Sequence, residues 1–268
     1  MASPTAPSVV LLPMYDWPEI RSATDSYWAA LRESLADTGF SPPKLLTRTG
    51  DLFECWRDPN LLLGQTCGLP FVEKLASEVS LVGTPAYDID CGAGSYFSVI
   101  VVHKESGIEN LMDLDTAILG YNDPLSQSGV SAFFSYLAEE GVSFRKIKRC
   151  DRLLSHRNAI QRLAERRIDI ASIDAVTWEL AKRFETATDK LTVIAHTHPT
   201  PGLPMITARR SKSEVDRIHH AVVEAMASLP CVTQDALLLT GFAATEEADY
   251  HLIKRNYEKI RPDLKNLL

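Results

Sequence analysis

Apolar positions recur along the chain in two rhythms: short runs that read as buried strands, and longer stretches at helical spacing. Val9 to Leu12 is the first run, followed by the loop Pro13-Met14-Tyr15-Asp16-Trp17-Pro18. A helix over Thr24 to Asp37 comes next, with Tyr27, Trp28, Leu31 and Leu35 on one face and Gly39 as its stop. Leu45 to Thr47 reads as a second strand and Leu52 to Arg57 as a short helix. Leu61-Leu62-Leu63-Gly64 is a third strand, running into the loop Gln65-Thr66-Cys67-Gly68. Val72 to Ala76 is predicted helical, and Val79 to Val82 is the fourth strand.

The rhythm changes after Gly92 and Gly94, where Tyr96-Phe97-Ser98-Val99-Ile100-Val101-Val102 forms a long β-rich run. A second series follows: strand 116–121, helix 129–140, strand 145–150, helix 156–167, strand 168–173, helix 175–185 and strand 191–195. Pro199-Thr200-Pro201-Gly202-Leu203-Pro204 is a stiff break that continues no helix. Beyond it lie a strand, Met205 to Ala208, and a helix opened by the capping-box spacing Ser211-Lys212-Ser213-Glu214. A closing helix carries Tyr250, Ile253, Tyr257 and Ile260.

Strands alternating with helices predict an α/β fold of mostly parallel sheets flanked by helices, with right-handed crossovers. One strand crosses out near residue 97 and one returns near residue 205. The expected organisation is therefore two lobes joined by two crossing strands: 1–97 with 205–268, and an inserted 98–204. Ligands of such sheets bind beyond the strand ends, so a cleft between the lobes is the expected site. Tyr15, just after the first strand, is a candidate to line it.

One loop stands out chemically. Tyr121-Asn122-Asp123-Pro124-Leu125-Ser126-Gln127-Ser128-Gly129 joins a strand to a helix whose apolar positions are Val130, Phe133, Phe134 and Leu137. Its last four residues sit at the helix start, where N–H groups, the helix dipole and two hydroxyls make a neutral cradle for a small oxyanion. A turn with an N-cap serine is the plainer reading of the same residues. Asp174 likewise reads as an N-cap or as a ligand acceptor, and His156 as a satisfied surface or core histidine or a donor from the first turn of its helix. Cys67 reads as a small apolar packing residue, or as a nucleophile with His156 as base.

Composition narrows the partners. The 268 residues are 45% hydrophobic and 24% charged, an ordinary globular balance. A net charge of -7 without a basic run offers no nucleic acid a footprint. No apolar run reaches the length of a membrane span. The five cysteines, Cys55, Cys67, Cys91, Cys150 and Cys231, are odd in number and never spaced as CxxC. Neither a disulfide framework nor a zinc site is expected, and His196-Thr197-His198 and His219-His220 lack companion ligands, so no metal or cofactor is expected. Met1-Ala2-Ser3-Pro4-Thr5-Ala6-Pro7 carries no basic region, and Val9 to Leu12 is too short for a signal core. The alternatives at this point are a cytoplasmic protein and one whose signal has been removed.

The order Tyr96-Phe97-Ser98-Val99, Asp123-Pro124-Leu125-Ser126-Gln127-Ser128-Gly129, Ser155-His156, Ile173-Asp174 and Pro201-Gly202-Leu203-Pro204 resembles the phosphate/phosphite/phosphonate substrate-binding proteins of ABC importers. These share the type II periplasmic binding protein fold. The resemblance runs from about Leu61 to Phe242, and the Asp-Pro-x-Ser-x-Ser-Gly element is its most specific part. It implies a periplasmic, monomeric, non-enzymatic protein with a small oxyanion ligand and a membrane permease as partner. The implied ligand contacts are Ser126, Gln127, Ser128 and Gly129, with Tyr96, His156 and Asp174. Thr66 stands where several members place an aromatic residue, and Leu203 where binders of amino-substituted phosphonates place an acid. Phosphate, phosphite or a small alkylphosphonate is therefore expected over an aminoalkyl ligand. An ionised Asp174 accepts from a P–OH group, so it would select a ligand that keeps a proton. The alternative is a cytoplasmic enzyme or ligand sensor on the same two-lobed fold, acting on a small anionic metabolite.

Overall fold

The computed structural model describes residues 8–265 and 267–268; Met1–Pro7, on which the signal-peptide reading partly rests, lie outside the described residues. In chain order the elements begin with β1 (Val9–Leu11), α1 (Arg21–Asp37), α2 (Leu52–Trp56) and β2 (Leu61–Gln65). Next come α3 (Gly68–Pro70), continued by a π-type turn over Phe71–Leu75, then β3 (Val79–Tyr87), β4 (Ser95–Tyr96), β5 (Ser98–His103) and β6 (Ala117–Tyr121). A second π-type turn, Gln127–Ser131, leads into α4 (Ala132–Glu139). β7 (Ile147–Arg152), α5 (His156–Ala164), β8 (Ile170–Asp174), α6 (Ala175–Phe184) and β9 (Leu191–His196) follow. The last elements are β10 (Thr200–Pro201), β11 (Met205–Ala208), α7 (Lys212–Ser228), α8 (Cys231–Leu237), β12 (Leu239–Ala243) and α9 (His251–Leu264).

The chain forms two compact units, one running to Ser95 and resuming over Pro201–Asp249, the other Tyr96–Thr200 with Tyr250–Leu268. The first unit holds a five-stranded sheet in the order β1-β2-β11-β3-β12. β1 and β2 are parallel, whereas β11 runs against both β2 and β3, and β12 against β3. α1 packs on α7, bringing together the apolar faces that carry Leu31, Leu35, Ile218 and Val222, all fully buried.

Two expectations for this unit change. Leu45 to Thr47 forms no strand: Thr47 donates one backbone hydrogen bond to the Val10 carbonyl at 2.7 Å, and Leu45 is 72% exposed. Pro42 and Pro43, just upstream, have no N–H to offer a ladder. Conversely, α8 and β12 were not expected from the apolar pattern. The run Leu237-Leu238-Leu239 straddles a left-handed residue, Leu238 at φ 56°, so it follows neither rhythm.

The second unit has its own five-stranded sheet, β7-β6-β8-β5-β9. β6 is parallel to β7 and β8; β5 runs against β8 and β9. Thus β6, β7 and β8 run parallel, whereas β5 in this unit and β11 and β12 in the first run against their neighbours. The core gathers Ile100, Val102, Leu119, Phe133, Phe134, Leu137 and Ile170. Ile260 and Leu264 of α9 belong to the same core. This corrects the expected grouping of 205–268 with the first lobe: the chain beyond Asp249 completes the second unit instead. The apolar face of α9 is buried against α4.

Candidate functional site

The loop after β6 is built by short-range polar bonds. Asp123 Oδ1 accepts from Leu125 N–H at 2.9 Å, and the Asp123 carbonyl accepts from Ser126 N–H at 2.9 Å. Pro124 sits between them with its fixed φ, so the turn is pre-set. Arg152 ties the Asp123 carboxylate from β7 at 2.6 Å. The turn delivers Ser126 as N-cap, its Oγ accepting from Gly129 N–H at 3.0 Å.

The helix start that follows is wider than an α-turn. Ser131 N–H reaches back five residues to the Ser126 carbonyl at 3.0 Å, and Ala132 N–H reaches the Gln127 carbonyl. Gln127, Ser128 and Gly129 are all buried there. Gly129 allows a close approach: a Cβ would stand 2.2 Å from Asn122 Oδ1 and 3.2 Å from Ser126 Oγ. Asn122 Oδ1 is itself buried and accepts no hydrogen bond among the described residues.

Ser128 ties this turn to two other elements. Its Oγ shares a 2.8 Å hydrogen bond with Nε2 of His156, the first residue of α5. Its carbonyl accepts from Ser172 Oγ of β8 at 2.6 Å and from Ser98 Oγ of β5 at 3.2 Å. Both serines are 1% exposed. Desolvation pushes the His156 pKa down from 6.5 to about 4, so the ring is neutral at physiological pH. α5 itself is capped by Ser155, whose Oγ accepts from Asn158 N–H.

Asp174 caps α6. Its Oδ1 accepts from Thr177 N–H at 2.7 Å and its Oδ2 from Thr177 Oγ1 at 3.1 Å. The capping function foreseen for it is therefore present, using part of the carboxylate's acceptor capacity. In the sheet Asp174 is registered opposite Ser98, whose hydroxyl reaches Ser128. Ser126 is thus hydrogen-bonded to Gly129 and Ser128 to His156, the two pairs being linked through the Ser128–Gly129 peptide, and Asp174 stands opposite Ser98, which donates to the Ser128 carbonyl. Tyr96 is buried in β4, two positions before Ser98. The Gly129 amide donates to the Ser126 hydroxyl oxygen, and a hydroxyl that accepts in this way still has its own proton to donate.

Tyr15 and Thr66 lie in the first unit. Tyr15 is buried and packs edge-on against Tyr87, ring centroids 5.2 Å apart. Both line a cavity of about 30 Å³ with Asp16, Tyr27 and Gln65. Thr66 is fully buried, donates its N–H to the Pro204 carbonyl at 3.0 Å, and places Oγ1 3.4 Å from the Cys67 carbonyl. Among the described residues no group of three or more His, Cys, Asp or Glu side chains is arranged to hold a metal ion. No helix of the described residues is long and apolar enough to cross a membrane.

Two βα units, with a hydroxyl-lined helix start uncharged in itself, are the architecture of a type II periplasmic binding protein. The chain belongs to a family described as ABC transporter, phosphonate, periplasmic substrate-binding protein, whose model matches residues 63–250. Similar solved structures include a binding protein component of an ABC phosphonate transporter from Pseudomonas aeruginosa. It is 18% identical, with a TM-score of 0.75 over 97% of this chain and 89% of that one. PhnD1 from Prochlorococcus marinus, in complex with methylphosphonate, is 16% identical, with a TM-score of 0.73 over 95% of this chain and 98% of that one. XAC2383 from Xanthomonas citri, bound to ATP, is 13% identical, with a TM-score of 0.72 over 96% and 99%. No curated protein matches at the level of sequence.

Proposed function

We propose that this protein binds a small phosphorus oxyanion, namely phosphate, phosphite or a small alkylphosphonate, and presents it to the permease of an ABC importer. The reading rests above all on the Ser126–Gly129 helix start with His156. Its donors are uncharged, and they cluster where the helix dipole favours negative charge. With His156 neutral, Nε2–H donation to Ser128 Oγ leaves the Ser128 hydroxyl proton for a ligand oxygen. The Ser126 proton is available in the same way. An ionised Asp174 can only accept, so a hydrogen bond to it from a P–OH group would favour a ligand that keeps a proton.

The family match and the methylphosphonate carried by the Prochlorococcus relative support this ligand class. A periplasmic location follows the family, as does the transport role. Tyr96, Gln127 and Tyr15 are further proposed contacts, and Thr66 is one through its shape and not its hydroxyl. The geometry gives no support to a Cys67–His156 nucleophile pair, because the His156 Nε2 is engaged by Ser128. Isothermal titration of the purified protein with methylphosphonate, phosphite and phosphate is the direct test. Saturable heat with at least one is expected; no heat with any of them overturns the reading.

A further inference from the structure

Ser98 opens β5 and Ser172 lies inside β8, two strands buried along their whole length. Ser98 precedes Val99-Ile100-Val101-Val102, and Ser172 lies between Ala171 and Ile173. Each is 1% exposed, and both hydroxyls converge on one acceptor, the Ser128 carbonyl, at 3.2 and 2.6 Å. The Ser98 N–H is separately held by Thr197 Oγ1 at 2.9 Å, so the residue carrying the hydroxyl is fixed at its backbone too.

That carbonyl belongs to the peptide unit whose N–H is Gly129. A trans peptide points its C=O and N–H in opposite directions, so anchoring one end aims the other. Here both ends are anchored: the C=O by Ser98 and Ser172, the N–H by Ser126 Oγ at 3.0 Å. Two donors on the carbonyl polarise the amide and strengthen the N–H as a donor. The N–H in turn polarises the Ser126 hydroxyl toward donating its own proton. The same two bonds hold the Ser128 carbonyl oxygen toward β5 and β8.

We infer that Ser98 and Ser172 are positioning residues: they orient and polarise the Ser128–Gly129 peptide so that Ser126 and Ser128 receive the oxyanion, without touching it themselves. This rests on the oxyanion reading above.

The experiment is titration of wild type, Ser98→Ala, Ser172→Ala, Ser172→Thr and Ser126→Ala with Ser172→Ala, using methylphosphonate and inorganic phosphate. Thermal melting and the ¹H–¹⁵N shift of the Gly129 amide accompany each variant. Ser172→Ala should weaken binding about tenfold, and Ser98→Ala, with the longer bond, less. Ser172→Thr, which keeps the hydroxyl, should recover most of the affinity. The Gly129 amide should move upfield in Ser172→Ala without ligand, and the loss should be less than additive with Ser126→Ala, since one relay is cut twice. Variants that melt lower yet bind as wild type with an unmoved Gly129 amide overturn the inference and leave the oxyanion reading standing. Ser172→Ala too unstable to titrate leaves the Gly129 shift in Ser98→Ala to decide in the same sense. A wild type that binds neither probe overturns both.

Discussion

Each unit sends a strand into a loop and then into a helix with a π-type turn, which follows one α-turn in the first unit and opens the helix in the second, and the two starts differ in what fills them. In the first unit β2 ends at Gln65, and Cys67 holds the cap position without making a capping side-chain bond. Gly68, Leu69, Pro70 and Phe71 behind it are buried and apolar. In the second, Ser126 caps with its hydroxyl, and Gln127, Ser128 and Gly129 follow. The backbone device is the same in kind; the chemistry is not. A widened helix start is therefore no site by itself. Hydroxyls at the cap, a neutral histidine on one of them and two buried serines behind the peptide make the second start suited to an anion. The first is suited to packing.

The largest effect expected from this contrast is on ligand binding. Ser126→Ala combined with Ser128→Ala should abolish the rise in melting temperature given by methylphosphonate, phosphite or phosphate. Losing the Ser126 cap should also cost about 1 kcal/mol of stability without ligand. A double variant that still shows the full ligand-induced shift would place the anion elsewhere in the molecule.

Next in size is a pH effect specific to the second start. The His156 pKa is about 4 in the folded protein against 6.5 for an ordinary histidine. Above pH 6.5 the ring is neutral folded and unfolded alike. Between 6.5 and 4 the unfolded chain takes up a proton that the folded chain refuses, so stability falls as the pH falls. Below 4 both forms are protonated and this contribution levels off. The full span amounts to about 3 kcal/mol, reading one pKa unit as roughly 1.4 kcal/mol. Urea unfolding at pH 7 and pH 4 should show His156→Gln losing that much less stability than wild type. Parallel losses in the two proteins would mean that the ring is solvated.

Much of this contrast was legible beforehand, and the part that was not has a physical reason. Asp123-Pro124 and the serines after it announce a turn and a cap, because their bonds span only two to five residues. The capping of α6 by Asp174 was readable on the same grounds. Ser98 and Ser172 were visible only as polar residues of mostly apolar strands, which says that each needs a partner and not which one. Their shared acceptor is 30 and 44 residues away in sequence. The apolar face of α9 was equally plain, yet nothing local assigns Ile260 and Leu264 to one core or the other. Period and capping are local properties; the choice of partner is set by the assembled sheet.

A smaller effect sharpens the geometry of the second start. Gly129→Ala puts a Cβ 2.2 Å from Asn122 Oδ1, too close to persist without movement. A cost of about 2 kcal/mol in thermal or urea unfolding is expected, typical of overpacking a tight site. Asn122→Ala in the same chain removes the obstructing atom and should recover most of it. Failure of that rescue would show that Gly129 is required for a reason other than room.

The smallest effect belongs to the first start. Thr66 is fully buried, but its hydroxyl has only a 3.4 Å approach to the Cys67 carbonyl, at the long end of hydrogen bonding. Its N–H bond to the Pro204 carbonyl is made by backbone and survives substitution. Thr66→Val keeps the shape and loses only that weak contact, so stability should change by less than about 1 kcal/mol. The effect on ligand affinity decides how far the contrast between the two starts extends. Titration with methylphosphonate should give Thr66→Val an affinity within about threefold of wild type, against total loss for the serine pair. A tenfold or greater fall would make Thr66 Oγ1 a ligand donor in its own right, and the first start would then be a functional counterpart of the second.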